Sequence, residues 1–280
     1  GGGPRRRGLR ASFPPRGVIR TESKEGGRME TITSRSNPLC VHLRKLASSR
    51  SYREETGEFL CDSPKLLGEA ARWGAQVTAL LYTGEAEHPE IAARAARVSE
   101  GVMRSVSPME TPQGVVFACR IPDHGLPERL EPEGRYLVLD GVQDPGNVGT
   151  ILRTADAFGA TVILLPGCAD LYNPKTVRAG MGVHFRSAVY RCALEELTAR
   201  LREAELPLYG AALREDTADV REVDLSRCAL AVGSEGRGLS AAVLAACGRT
   251  VRIPMTPRCE SLNAAAAASV LLWEAARGAL

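Results

Sequence analysis

The stretch LDGVQDPGNVGTILRTADAFGA, residues 139–160, connects a predicted strand over 136–142 to a predicted helix over 148–158. Between the two, residues 144–147 are Asp-Pro-Gly-Asn, a composition typical of a tight turn. Asn147 ends this turn and is well placed as the N-cap of the helix. The stretch therefore predicts a strand, a turn and a helix in immediate succession.

The helix that follows the turn has an apolar face and a polar face. Ile151, Ala155 and Phe158 predict the buried face. Arg153 lies about 200° around the helix from Ile151, at roughly 100° per residue, and therefore points away from the core. An arginine in that position can reach a phosphate or a ribose.

Strands and helices alternate along the rest of the chain. The hydrophobic pattern predicts further strands at 161–165, 188–190, 206–212, 228–232 and 250–254. It predicts further helices at 175–181, 194–203, 240–246 and 261–277. Strands spaced by helices indicate an α/β fold with a mainly parallel, covered sheet. Ligands bind such sheets where the strands end and the loops begin.

Two later segments carry unusual residues at such strand ends. In LAVGSEGRGLS, residues 230–240, three glycines allow the backbone to approach a ligand closely, and Glu235 supplies a carboxylate. In RIPMTPRCESLN, residues 252–263, two prolines flank a loop before the last helix. Ser261 and Asn263 lie where this helix begins and where free N–H groups favour negative charge. Both residues can equally be helix caps.

The three segments together resemble the SpoU (TrmH) family of RNA ribose methyltransferases. The pattern is NVGxxxRTAxAFG from residue 147, GxEGxGL from residue 233, and IPM at 253–255 followed by SLN at 261–263. The resemblance covers nearly all of 135–280. It implies a SPOUT domain, in which the C-terminal part of the parallel sheet is threaded into a trefoil knot.

The resemblance also implies a function and a set of site residues. It implies S-adenosyl-methionine (AdoMet) as cofactor, a homodimer formed through the knotted domain, and methyl transfer to a ribose 2′-hydroxyl. The implied cofactor-binding residues are Gly233, Ile253 and Leu262, and the implied catalytic residues are Asn147, Arg153, Glu235, Ser261 and Asn263.

In this family the proposed base is the arginine that corresponds to Arg153, but a guanidinium is essentially always protonated. We therefore expect Arg153 to position the 2′-oxygen or a neighbouring phosphate. We expect Glu235 to orient either Arg153 or Asn147. The identity of the base stays open.

The first part of the chain predicts a second, smaller α/β domain at 29–105. Its pattern gives strands at 58–61 and 77–82 and helices at 64–73 and 89–98. A linker region over 106–134, with a short strand at 114–120, separates it from the SpoU-type domain at 135–280. The segment from Thr33 to Leu60 resembles the RNA-substrate-binding domain that precedes the catalytic domain in the family. Relatives usually carry an acidic residue and a glycine where this chain has Cys61-Asp62-Ser63-Pro64.

A basic stretch over 31–53 contains five cations and no acid. Leu39, Leu43 and Leu46 predict the buried face of a helix there. The cations suit RNA phosphates, although they can also be a merely solvated face. The candidate RNA-binding residues are Arg35, Arg44, Lys45, Arg50 and Arg53.

The charge is uneven along the chain. The net charge is +3 over 280 residues, yet residues 1–28 carry eight Arg or Lys against two Glu. This Gly-, Pro- and Arg-rich tail cannot bury a core and predicts disorder. It is either an upstream extension, with a start near Met29, or an RNA-binding arm.

Several other classes of protein are disfavoured. Residues 233–238 form GxxGxG rather than GxGxxG, and no P-loop motif is present, so a dinucleotide-dependent enzyme is only weakly supported. No signal peptide and no membrane span are expected. The eight cysteines lack zinc-ligand spacing, so we expect no metal site; they indicate free thiols in the cytoplasm, and Cys259 lies within a family motif.

The sequence leaves two classes of RNA as candidate substrates. The additional N-terminal domain favours 23S rRNA, and tRNA is the alternative. A non-catalytic RNA-binding factor for ribosome assembly also remains possible, although the intact set of catalytic residues argues against it.

Overall fold

The computed structural model describes residues 30–215, 217–258 and 261–279 and contains two α/β domains. The predicted disordered tail, residues 1–28, and Cys259 lie outside the described residues. Within them, no helix is both long enough and apolar enough to cross a bilayer.

The first domain is built on a five-stranded mixed sheet with the order β1-β4-β3-β5-β2. Its strands are β1 Glu30–Ile32, β2 Glu58–Cys61, β3 Val77–Tyr82, β4 Ala95–Val98 and β5 Val115–Arg120. Its helices are α1 Pro38–Ser48, α2 Arg50–Thr56, α3 Pro64–Arg72 and α4 Glu100–Val106.

Helix α1 follows the sequence prediction closely. The side chain of Asn37 accepts a hydrogen bond from Leu39 N and caps the helix. Leu39, Leu43 and Leu46 are buried, as predicted. The basic stretch does not form one helix, because Ser49 caps a second helix, α2.

Two features of this domain differ from the sequence predictions. The predicted helix at 89–98 is wrong, since only Pro89–Ile91 forms a 3-10 turn and Ala95–Val98 is strand β4, paired with β1 and β3. Alternating burial, with Ala96 and Val98 inward, suits a strand despite the alanines. The strand predicted within the linker region 106–134 exists as β5, but it pairs with β2 and β3 and belongs to the first sheet.

The second domain is built on a seven-stranded, fully parallel sheet with the order β10-β12-β9-β11-β6-β7-β8. Its strands are β6 Arg135–Asp140, β7 Ala160–Leu164, β8 Val189–Arg191, β9 Leu208–Ala211, β10 Ala218–Asp219, β11 Ala229–Gly233 and β12 Arg249–Arg252. Its helices are α5 Pro145–Ala157, α6 Pro174–Gly180, α7 Leu194–Glu203, α8 Ala241–Ala246 and α9 Ala264–Ala276.

The strand and helix pattern predicted for this domain is confirmed, with boundary shifts of a few residues. Helix α7 has the predicted bounds. Helix α9 begins later than predicted, because Asn263 rather than Ser261 is the residue at its start. Strand β10 was not predicted; it is two residues long and forms one edge of the sheet.

The two domains share one hydrophobic core. Phe59 of β2 packs on Tyr172, with ring centroids 4.4 Å apart. Among the described residues, three ion pairs also cross between the domains: Arg53–Asp170 at 2.6 Å, Arg186–Glu69 at 3.0 Å and Arg178–Asp62 at 3.8 Å. These contacts fix the first domain against the second.

Candidate functional site

The three sequence motifs meet at one edge of the parallel sheet. Strands β6, β9, β11 and β12 are all parallel, so their carboxyl ends lie together. The loop after β6 leads to α5, the loop after β11 contains Glu235, and the loop after β12 leads to α9. The Asp140 carboxylate accepts a hydrogen bond from Ser240 N at 2.6 Å, which ties the end of β6 to the loop after β11.

The start of α5 differs from the sequence prediction. The N-cap is Asp144, whose Oδ1 accepts from Asn147 N at 2.8 Å, and Pro145 occupies the first turn. Asn147 is therefore not the cap, and its side chain is available for other contacts. Lys175 Nζ lies 2.9 Å from Asp144 Oδ2, and this hydrogen bond lowers the pKa of Asp144 below its usual range.

A chain of side-chain hydrogen bonds joins the three motifs. Asn147 Nδ2 donates to Glu235 Oε1. Asn263 Nδ2 donates to Asn147 Oδ1 at 3.1 Å. The partners are 88 and 116 residues apart along the chain, so only the sheet brings them together.

The chain of hydrogen bonds ends on the N-terminus of α9. Asn263 Oδ1 accepts from the backbone N–H groups of Ala265 and Ala266, at 2.9 and 3.3 Å. Asn263 is thus both a helix cap and a donor within the site, which combines the two roles considered for it. Every donor in the chain points from the helix N-terminus toward the carboxylate, so the bonds polarise one another and fix the position of Glu235.

The two remaining predicted catalytic residues are placed differently. Ser261 is exposed, three residues before the start of α9. Arg153 is exposed on α5, as predicted. It lies about 9 Å farther along the helix than Asn147 and on another face, in a cleft with Lys65 and Trp73. Within the chain, the structure does not bring Arg153 to the Asn147–Glu235–Asn263 chain.

The predicted cofactor residues follow β11 and β12. Gly233 is buried, and a Cβ added to it would lie 2.1 Å from the backbone of Gly238, so this tight loop accepts only glycine there. Ile253 is half-buried and packs on the main core, and Leu262 is also half-buried. Apolar side chains beside a close-packed backbone loop fit the adenosine part of AdoMet.

The structure separates the five candidate RNA-binding cations. Arg35 and Lys45 are exposed, Arg44 is half-buried, and Arg50 is exposed and pairs with Glu54 at 2.8 Å. The prediction that Arg53 binds RNA is wrong, because this side chain is only 4% exposed. Its guanidinium donates to Asp170 of the second domain and to the carbonyl of Leu46, so it ties the domains together and is inaccessible to RNA.

Sequence reasoning missed Asp140 and Asp144. Both hold loops of the site in place, one through Ser240 N and the other as the cap of α5. The Asp-Pro pair at 144–145 was a usable signal, since an acidic N-cap followed by proline is a common helix start.

The parallel sheet, the Asn147–Glu235–Asn263 chain at its carboxyl edge and the smaller preceding domain together agree with the class of SPOUT RNA methyltransferases. Residues 134–273 match the SpoU rRNA Methylase family, and residues 37–117 match the MRM3-like substrate binding domain. The chain belongs to the SpoU rRNA methylase family. The predicted family, fold class and enzyme class are thereby confirmed, and the AdoMet-bound relative described below confirms the predicted cofactor.

Characterised relatives match along almost the whole chain. The chain is 34% identical to the 23S rRNA (guanosine(2553)-2'-O)-methyltransferase RlmP of Bacillus subtilis, over 88% of this chain and 98% of the relative. It is 33% identical to the 23S rRNA (uridine(2479)-2'-O)-methyltransferase of Streptomyces viridochromogenes, over 88% and 91%.

A solved structure shows the same two-domain architecture. The AdoMet-bound rRNA methyltransferase from Sinorhizobium meliloti superposes with a TM-score of 0.81 at 32% identity, over 91% of this chain and all of that one.

Proposed function

We propose that this protein transfers a methyl group from AdoMet to the 2′-hydroxyl of a ribose in 23S rRNA. The observation that carries this proposal is the hydrogen-bond chain from the N-terminus of α9 through Asn263 and Asn147 to Glu235. Both named 23S rRNA relatives act on a ribose 2′-oxygen, and their similarity spans both domains.

AdoMet, when bound, supplies a methyl group on a positively charged sulfur, so the protein has mainly to align the acceptor oxygen. Gly233, Ile253 and Leu262 would hold the cofactor at the carboxyl ends of β11 and β12. Asn147 and Glu235, fixed by Asn263, present a preorganised amide and carboxylate beside that position. Ser261, exposed at the same helix start, completes the proposed catalytic set.

Arg153 is assigned to the ribose that accepts the methyl group. Its guanidinium stays protonated and cannot take the hydroxyl proton. It holds the 2′-oxygen or the adjacent phosphate, and it stabilises the negative charge that grows on the oxygen as the proton leaves. The accessible Arg35, Arg44, Lys45 and Arg50 of the first domain are assigned to rRNA phosphates.

We also propose a homodimer formed through the second domain. Val270 and Trp273 of α9 are 39% and 51% exposed, and the Trp273 ring meets Phe158 edge to face at 5.9 Å. An exposed apolar patch of this kind on a helix marks an interface, and a second copy would cover it. With 23S rRNA as the proposed substrate, we propose that the protein acts in the cytoplasm.

The test is single-turnover transfer of labelled methyl groups to 23S rRNA, measured together with AdoMet affinity by calorimetry. We expect Arg153→Ala to slow transfer on the order of a hundredfold or more while AdoMet affinity is kept. Arg153→Lys should rescue little, because a point charge does not reproduce the planar fork. Arg227→Ala is the control, since Arg227 is an exposed arginine just before β11, at the opposite edge of the sheet.

A second variant tests the hydrogen-bond chain by removing one of its donors. Asn263→Asp keeps the oxygen that caps α9 but loses the donor to Asn147 and adds a negative charge near Glu235. We expect normal thermal stability with strongly reduced transfer. Wild-type transfer rates in Asn263→Asp, or in Arg153→Ala, would contradict the assignment; absence of transfer by the unmodified protein to any 23S rRNA would refute the substrate.

A further inference from the structure

A cleft of about 390 Å³ opens between the two domains beside the second half of α5. Lys65 and Trp73 line it from the first domain, at the start and end of α3, and Arg153 lines it from the second domain. Its walls are fixed across the domain boundary, because Arg186 Nη1 lies 3.0 Å from Glu69 Oε2. The cleft is therefore a built feature of the domain junction.

The cleft has an excess of positive charge. Arg186 is neutralised by two carboxylates, at 3.0 and 2.9 Å. In the part of the chain that the structure describes, no ion pair forms at Lys65, Arg72 or Arg153, although all three line the cleft. Three cations that face one cleft without acidic partners are suited to bind phosphate.

An exposed indole lies among these cations. Trp73 is 47% exposed, yet its orientation is held, because Nε1 donates to Glu69 Oε2 at 3.2 Å. The Arg72 guanidinium lies 5.5 Å from the centre of the indole ring. A fixed aromatic face next to phosphate-binding cations is the arrangement that stacks an unpaired base of single-stranded RNA.

We propose that this cleft binds one nucleotide of a single-stranded rRNA segment, next to the target nucleotide. The base stacks on Trp73, and the phosphate lies between Lys65 and Arg153. This inference rests on the proposed function, because Arg153 is also the residue assigned to the target ribose, and a neighbouring nucleotide must pass close to it. The apolar lining, one indole and Met181, is too small for a folded protein partner.

The first experiment observes Trp73 directly. The chain has two tryptophans, so Trp273→Phe leaves Trp73 as the single indole. Titration of this variant with a hexauridylate oligonucleotide should quench its fluorescence, with an affinity that falls as salt rises. Lys65→Gln in the same background should weaken binding and flatten the salt dependence, whereas the matched change Arg227→Gln, at the opposite edge of the sheet, should not.

The second experiment measures methyl transfer to 23S rRNA by the full-length protein. Trp73→Ala should lower kcat/KM by about 5- to 150-fold, the range that removal of one stacked base predicts, and mainly through KM. Trp73→Phe should recover most of this activity, and AdoMet affinity should not change. Recovery by Phe separates stacking from a general disruption of the structure.

The outcomes distinguish this inference from the proposed function. If the wild-type protein methylates 23S rRNA but Trp73→Ala has wild-type KM, the cleft does not bind the substrate and the inference is wrong. If the wild-type protein does not methylate 23S rRNA, the proposed function fails, and the hexauridylate titration still tests the cleft: absence of quenching overturns it.

Discussion

Gly233, at the end of β11, gives the sharpest test of the cofactor site. A Cβ at this position would lie 2.1 Å from the carbonyl carbon and oxygen of Gly238 and 2.4 Å from Leu239 N. Those atoms are backbone, so the loop must retreat by about 1.5 Å to reach van der Waals distance. Gly233→Ala therefore has to deform the loop that the AdoMet site requires.

The magnitude follows from the cost of overpacking. Forcing one methyl group into a close-packed site costs about 1–3 kcal/mol, which corresponds to about a 5- to 150-fold change in an equilibrium constant. Gly238 and Ser234 exchange two backbone hydrogen bonds, at 3.1 and 2.8 Å, and the added methyl group pushes on this pair. We expect AdoMet affinity to fall by at least about tenfold while strand β11 stays in the sheet.

The assay is calorimetric titration with AdoMet, together with thermal unfolding. Gly68→Ala, in helix α3 of the first domain, is the control, because a Cβ there has no atom within 4 Å and its φ is not positive. AdoMet affinity should be close to the wild-type value in Gly68→Ala. Wild-type affinity in a folded Gly233→Ala protein would refute the reasoning, as would an equal decrease in both variants.

Three further predictions concern stability, assembly and RNA binding. Burial raises the pKa of Asp62 to about 6, so between about pH 4 and pH 6 the folded state holds a proton that the unfolded state has released. The free energy of unfolding therefore falls as pH rises through this range. In urea unfolding, Asp62→Asn should flatten this pH dependence and raise the free energy of unfolding by up to about 3 kcal/mol at pH 8. Trp273→Glu should shift the protein to monomers in analytical ultracentrifugation, and an unchanged dimer would place the interface elsewhere. The double variant Arg44→Ala, Lys45→Ala should weaken rRNA binding. The slope of log affinity against log salt concentration should become shallower by about one for each phosphate that these cations no longer bind. An unaltered slope would mean that these cations form only a solvated face.

Local sequence pattern determined most of the second domain. Alternating strands and helices, with turn residues between them, predicted the parallel sheet, and helix α7 has the predicted bounds because its apolar periodicity is strong. The motif residues Asn147, Glu235 and Asn263 were also identified from the sequence. The resemblance, and not the pattern, supplied their function.

The tertiary structure decided how those residues act. Asn147 could cap its own helix or serve the site, and only the nearby Asp144 cap left its amide for Glu235. Asn263 joins them across 116 residues of sequence, which no local pattern encodes. Hydrogen bonds between distant segments depend on strand order, and strand order is set by long-range pairing.

The first domain was less predictable for the same reason. Residues 95–98 are rich in good helix formers, yet pairing with β1 and β3 makes them a strand. Arg53 looked like one of five equivalent cations, yet Asp170, 117 residues away, buries it. Sequence by itself determined which side chains could bind RNA or cofactor. Only the packing of the two domains decided which of them stay exposed, because a charged group becomes buried only where a distant partner offsets its desolvation cost.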